Sequence, residues 1–108
     1  MYPPWVRKLP QVRTSFPGAV GWLLASPHGQ VVLWEFPEGG TVPAHRHGPQ
    51  MGIVLDGCVV LTLEGETRAW PGGETFVIGD QEEHAAVLDP GTYVIEIFEE
   101  SDRHRAIE

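Results

Sequence analysis

What most constrains this chain is its punctuation: from Val20 to Phe98 it is a series of short apolar runs, each closed by glycine or proline. The runs cover 20–25, 31–36, 41–44, 52–57, 58–63, 66–70, 75–78, 84–88 and 92–98. Asp56-Gly57, Glu64-Gly65 and Pro90-Gly91 have the composition of tight turns between strands. No stretch of ten residues keeps a 3.6-residue apolar period, which argues against long helices. Eight or nine strands spaced by about 8 to 12 residues predict an all-β sandwich or barrel. His28, at the tip of the hairpin loop after Ala25, reads as a solvated turn residue.

The chain's 108 residues are the length of a single domain, expected over 1–108, with its own core. Residues 1–17 are Pro-rich and cationic. They are expected to form a loose N-terminal arm, or an edge strand near 11–16 that packs on the barrel or on a partner subunit. Residues 99–108 are a mostly charged tail, read as one helical turn or as disorder. Such an arm, and edge strands that need covering, favour a homodimer. A net charge of −8 repels phosphate backbones and anionic lipid, so neither nucleic acid nor a membrane is an expected partner. Cys58 is the sole cysteine and has no internal partner, so it reads as a buried, inert thiol. With no apolar run of signal-peptide or membrane-span length, the expected location is cytoplasmic.

The stretch from Gly39 to Gln50 carries the chemistry. His45 and His47 are two residues apart, and an extended backbone would put both imidazoles on one face, Cα atoms roughly 6.5 Å apart. Gln50 follows across a Gly48-Pro49 bend, and a further histidine, His84, lies much later. Three imidazoles and an amide oxygen could surround one divalent metal, although a histidine pair alone is a weak motif.

Two segments together resemble the conserved motifs of the cupins. Gly39, His45-Arg46-His47, Gln50 and Gly57 are similar to the first motif, and Gly73 to His84 to the second. The resemblance spans about residues 31 to 98. It implies a double-stranded β-helix, the cupin jelly-roll barrel, with a metal in its mouth held by His45, His47, Gln50 and His84. The loop after His47 is shorter than the motif usually has, so Gln50 is assigned by its spacing to Gly57. The alternative is that Gln50 hydrogen-bonds a backbone group or a metal-bound water. Gly79 and Gln81 stand where the second motif often has Pro and Gly.

Three neutral imidazoles and an amide would leave a divalent charge uncompensated. Such a centre favours an anionic ligand and acts as a Lewis acid. Zn, Mn, Fe, Ni and Cu all remain open. Alternation along 92–98 puts Glu96 on one face with Thr92, Val94 and Phe98. On an inward face Glu96 is a candidate general acid/base with a raised pKa; on an outward face it is merely solvated. Glu35 is a similar candidate of lower rank. Trp22, Trp34, Trp70 and Tyr93 read as core or barrel-surface aromatics.

Among small cupins, the chain looks most like the group that processes unsaturated uronates in pectin breakdown. That likeness rests on the His-x-His…Gln pattern and on Glu96-Ile97-Phe98 followed by Arg103. The group commonly has Asp where Glu96 stands. The resemblance implies a metal-dependent isomerase or lyase acting on a small anionic sugar acid, with Glu96 moving the proton and Phe98 and Arg103 binding substrate. A dioxygenase and a non-catalytic ligand-binding or sensor protein are the alternatives. No Gly-x-Ser-x-Gly, His-Glu-x-x-His or phosphate-cradling glycine loop is present.

Overall fold

A computed structural model describes residues 1–107. After a 3₁₀ turn at Val6–Lys8 come nine strands: β1 Val20–Ser26, β2 Gly29–Phe36, β3 Gly40–His45, β4 Gln50–Asp56, β5 Cys58–Leu63, β6 Glu66–Pro71, β7 Thr75–Ile78, β8 His84–Leu88 and β9 Thr92–Phe98. They form a five-stranded sheet in the order β1-β2-β9-β4-β7 and a four-stranded sheet in the order β3-β8-β5-β6. Every pairing is antiparallel. This is the expected all-β jelly roll, the double-stranded β-helix. No helix among the described residues is long and apolar enough to cross a membrane.

The period-2 pattern of the sequence builds the core directly. In β2, Gln30, Val32, Trp34 and Phe36 are buried, while Val31, Leu33 and Glu35 alternate with them on the less covered face. Val32, Trp34, Val54, Phe76 and Val94 of the larger sheet join Val59, Leu61 and Leu88 of the smaller one in a single apolar cluster. Burying side chains of this kind contributes about 1.5–3 kcal/mol each. Register then lines up the inward positions. One row runs Gln30, Phe98, Gln50 and Ile78 across four strands, and the next runs Val32, Glu96, Gly52 and Phe76. Glu96 therefore faces inward, and the solvated alternative is excluded.

Glycine is demanded at several places along this frame, Gly57 and Gly52 among them. Gly57 turns β4 into β5 at φ +83, and a Cβ there would lie 2.4 Å from the Thr92 hydroxyl oxygen. That hydroxyl is buried and donates to the Asp89 carbonyl at 2.7 Å. At Gly52 a Cβ would come within 2.2 Å of the Phe76 ring. The close approach of ring to backbone requires the missing side chain.

The arm meets its expectation in part, packing on the barrel, and the tail departs from its own. The arm forms no edge strand; it makes isolated bridges from Gln11 to Trp22 and from Val12 to Ala106. It packs on its own barrel, with Val6 and Val12 buried and Val12 joining the core cluster beside Trp34. Arg7 lies over the Trp22 ring at 4.8 Å, and Tyr2 meets Trp22 edge-on. The tail is neither a helical turn nor disordered through residue 107; Glu108 lies outside the described residues. It folds back across the barrel, held by the Gln30 side chain. That amide donates to the His104 carbonyl at 2.9 Å and accepts the His104 N–H at 2.8 Å.

Candidate metal centre and ligand pocket

β3 ends at His45, which pairs with His84, the first residue of β8, after a bulge between Val42 and His45 that re-aims the strand end. His47 lies beyond the strand, so strand alternation is not what aligns it with His45. Its backbone is pinned from the second motif: the Gln81 N–H donates to the His47 carbonyl at 2.9 Å. Gln81 sits at φ +58, the left-handed region that glycine enters most readily, which accounts for glycine being frequent there. The Arg46 guanidinium donates to the Gln81 carbonyl at 3.0 Å and holds it in place. The short Gly48-Pro49 loop is braced by the tail. Glu100 accepts the Gly48 N–H at 3.0 Å, and the Pro49 carbonyl accepts the Glu99 N–H at 3.1 Å.

The three imidazoles converge, with ring centroids 5.0 Å (His45–His47), 4.2 Å (His45–His84) and 4.7 Å (His47–His84) apart. One nitrogen from each lies within 4.8 Å of the others. Each Nδ1 faces a backbone carbonyl: Pro43 at 2.9 Å, Gly48 at 2.7 Å and Glu82 at 2.9 Å. A carbonyl can only accept, so each Nδ1 carries the proton and each Nε2 keeps its lone pair. Burial lowers the pKa of His47 and of His84; neighbouring cationic groups add to this, while the backbone hydrogen bond opposes it. Neutral imidazoles with a fixed tautomer are the donor set a divalent cation needs. The residues fit a metal.

Gln50 opens β4 beside them. Its side chain is buried, and its Nε2 donates to the Glu96 carboxylate at 2.5 Å, which leaves Oε1 unspent. Burial pushes the Glu96 pKa up to about 7; the indole of Trp34, the Gln50 amide and Arg103 each pull it back down. The Trp34 indole N–H is close enough to exert that pull, yet it makes no hydrogen bond of ordinary geometry.

All seven residues expected at the site (His45, His47, Gln50, His84, Glu96, Phe98 and Arg103) line one cavity of about 200 Å³. Its remaining wall is largely apolar, including Phe16, Phe36, Val42, Leu61 and Phe76. Glu35 is not part of it. Glu35 faces outward and pairs with Arg7 at 3.3 Å, as its parity with Val31 and Leu33 dictates. Cys58 is half-buried and lies away from the cavity.

Two wall residues have a place the sequence reading did not give them. Trp34 shares the buried face of Val32 and Phe36, so alternation in β2 could have placed it in the wall. His104 comes from the tail, and no local pattern marks it. Burial lowers its pKa to about 4, with Arg103 and His47 adding to the effect, so at neutral pH it is an uncharged imidazole.

No family profile matches the chain, and no curated protein sequence matches it. Solved structures do. An RmlC-like cupin from Shewanella frigidimarina has 20% identity and a TM-score of 0.75, covering 87% of this chain and 86% of that one. A cupin superfamily protein from Desulfitobacterium hafniense has 18% identity and a TM-score of 0.69, covering 80% and 81%. The protein is thus a cupin in fold. A more particular likeness is to KdgF from a Halomonas species, at 29% identity and a TM-score of 0.73, over 84% of this chain and 87% of that one.

Proposed function

We propose that this protein is a metal-dependent isomerase or lyase acting on a small anionic, sugar-derived molecule, with an unsaturated uronate as the substrate class to try first. His45, His47 and His84 hold the metal through Nε2, and Gln50 contributes its free amide oxygen as a fourth ligand. Once bound, a divalent cation supplies a Lewis acid for a carboxylate or enolate oxygen. Arg103 has no ion-pair or hydrogen-bond partner among the described residues, and its guanidinium reaches the same cavity, where it binds the substrate anion. Phe98 packs against the sugar ring.

The observation that carries the reading is the Gln50–Glu96 contact: one buried carboxyl, with a pKa near neutrality, held beside the three-imidazole cluster. A group titrating near the working pH can both take and return a proton. For a cyclic unsaturated uronate the balance is closed. The ring hemiacetal loses its hydroxyl proton and its carbon–oxygen bond to the ring oxygen breaks. The hemiacetal carbon becomes a carbonyl and the freed enolate becomes a ketone as the former alkene carbon gains a proton. Glu96 accepts the first proton and delivers the second, so no external oxidant or reductant is needed. The histidine cluster contains no carboxylate, which disfavours the dioxygenase alternative. Proton NMR of an unsaturated uronate incubated with metal-loaded protein tests the reading directly. Loss of the vinyl signal with appearance of the keto product is expected, and an unchanged spectrum would end the proposal.

A further inference from the structure

The tail brings one titratable side chain into the cavity that the proposed reaction does not use. His104 stands with its ring edge against Trp34 (centroids 5.6 Å) and Phe98 (5.0 Å), and Phe98 in turn lies 5.8 Å from His47. Its ring nitrogens have no hydrogen-bond partner among the described residues, although its backbone is held on both sides by the buried Gln30 amide. A side chain that uses both of its polar ends to fix one distant residue sets where that residue's ring points. The unpaired nitrogens of His104, next to the unpaired indole N–H of Trp34, are what this side of the wall offers to a ligand.

We infer that His104 is a ligand-binding residue, positioned by Gln30, that takes a hydroxyl group of the substrate while Arg103 beside it takes the anion. An uncharged imidazole has one N–H donor and one lone pair, which matches a hydroxyl and gives no advantage to a second anion. Beyond the histidine cluster, Gln50, Glu96 and the Trp34 indole N–H, the wall is apolar and would leave hydroxyls unsatisfied. The ligand this cavity selects therefore carries a hydroxyl on the edge towards the tail, besides the groups that meet Glu96 and the histidine cluster, and a carbon-rich face against the apolar wall. That description deepens the sugar-acid reading and rests on it.

The test compares two carboxylates of the same ring size on zinc-loaded protein: galacturonate, which has hydroxyls, and cyclohexanecarboxylate, which has none. Calorimetric titration is expected to show galacturonate bound more tightly by wild type. In His104→Phe, which keeps the ring contacts with Trp34 and Phe98, galacturonate should weaken by about five- to tenfold while cyclohexanecarboxylate is unchanged. In wild type, the His104 ring resonances should move on saturation with galacturonate, a readout independent of whether the variant folds. Unmoved His104 resonances, or equal affinity of wild type for the two compounds, would overturn the hydroxyl subsite and leave the anion reading standing. Failure of both compounds to bind would overturn both readings.

Discussion

The amide nitrogen of Gln50 donates to the carboxylate of Glu96 across 2.5 Å, tying the first residue of β4 to the inward face of β9. Because the two strands are neighbours and Gln50 sits one inward row from Glu96, this contact follows from register alone. A single side chain thus faces, with its nitrogen, the carboxyl proposed to move the proton, and leaves its oxygen free for a cation.

Removing that carboxyl separates chemistry from metal binding. Glu96→Gln keeps the shape and a polar contact with Gln50 but cannot carry a proton. Turnover of the unsaturated uronate should fall about a hundred- to ten-thousandfold. Metal content, read by elemental analysis, should match wild type. Comparable turnover in the variant would remove Glu96 from the mechanism.

The histidine cluster predicts stoichiometry. Protein purified without a tag should hold about one divalent metal per chain, and the His45→Ala, His84→Ala double variant should hold none, since two of three imidazole ligands are lost. Equal metal in both would refute the assignment of these residues.

Acid should destabilise the metal-free protein in a window set by His104. Its folded pKa, about 4, lies below its ordinary value of 6.5. Between those values the unfolded chain binds a proton that the folded chain refuses, so stability rises with pH. The contribution is present above pH 6.5, declines as pH falls and is gone near pH 4, amounting to at most about 3 kcal/mol. Urea unfolding at pH 7 and pH 5 should show a smaller loss in His104→Phe than in wild type. Identical losses would mean that His104 titrates normally.

Gly52→Ala should destabilise the barrel by about 1–3 kcal/mol, because the added methyl meets a buried ring that has no free space behind the sheet. Phe76 can yield only towards the cavity it lines. Denaturant titration measures the loss, and reduced ligand affinity should accompany it. A variant as stable as wild type would show that Phe76 repacks freely.

The outward rows of the larger sheet predict association. Val31, Ile97, Met51 and Val77 lie side by side across four strands and carry no charge, and Val77 is 69% exposed. Contiguous apolar surface of this kind marks an interface. Light scattering should report a dimer, and Val77→Lys should shift it towards monomer. A concentration-independent monomer would dismiss the homodimer.

How much of this could be read from the sequence depended on how local each signal is. The nine strands were legible because apolar runs and Gly or Pro turns are local; the same period grouped Glu96 with Thr92, Val94 and Phe98 but left open whether that face is inward, which the pairing of β9 with β2 and β4 decides. His45 and His84 were legible by spacing. The alignment of His47 was reached for an incomplete reason, since His47 lies outside the strand and is aligned by Gln81, 34 positions later in the chain. His104 was illegible. Its place depends on Gln30, 74 residues away, and a charged tail has no period to betray a fold-back. Glu35 failed as a candidate because Arg7, in an arm expected to be loose, claims it.

The arm itself acquires a different meaning. Val12 donates its N–H to Gly21 of β1 at 2.8 Å; Arg13 donates to the Arg105 carbonyl at 2.8 Å, and the Gln11 carbonyl accepts from Ile107 at 2.7 Å. The arm is a shim between β1 and the tail, bonded on one side to Gly21 and on the other to Arg105 and Ile107, the segment that carries His104. Ligand preference in this barrel would then be adjustable from behind its wall, through substitutions at Val12, which shares a core cluster with Trp34 but does not line the cavity.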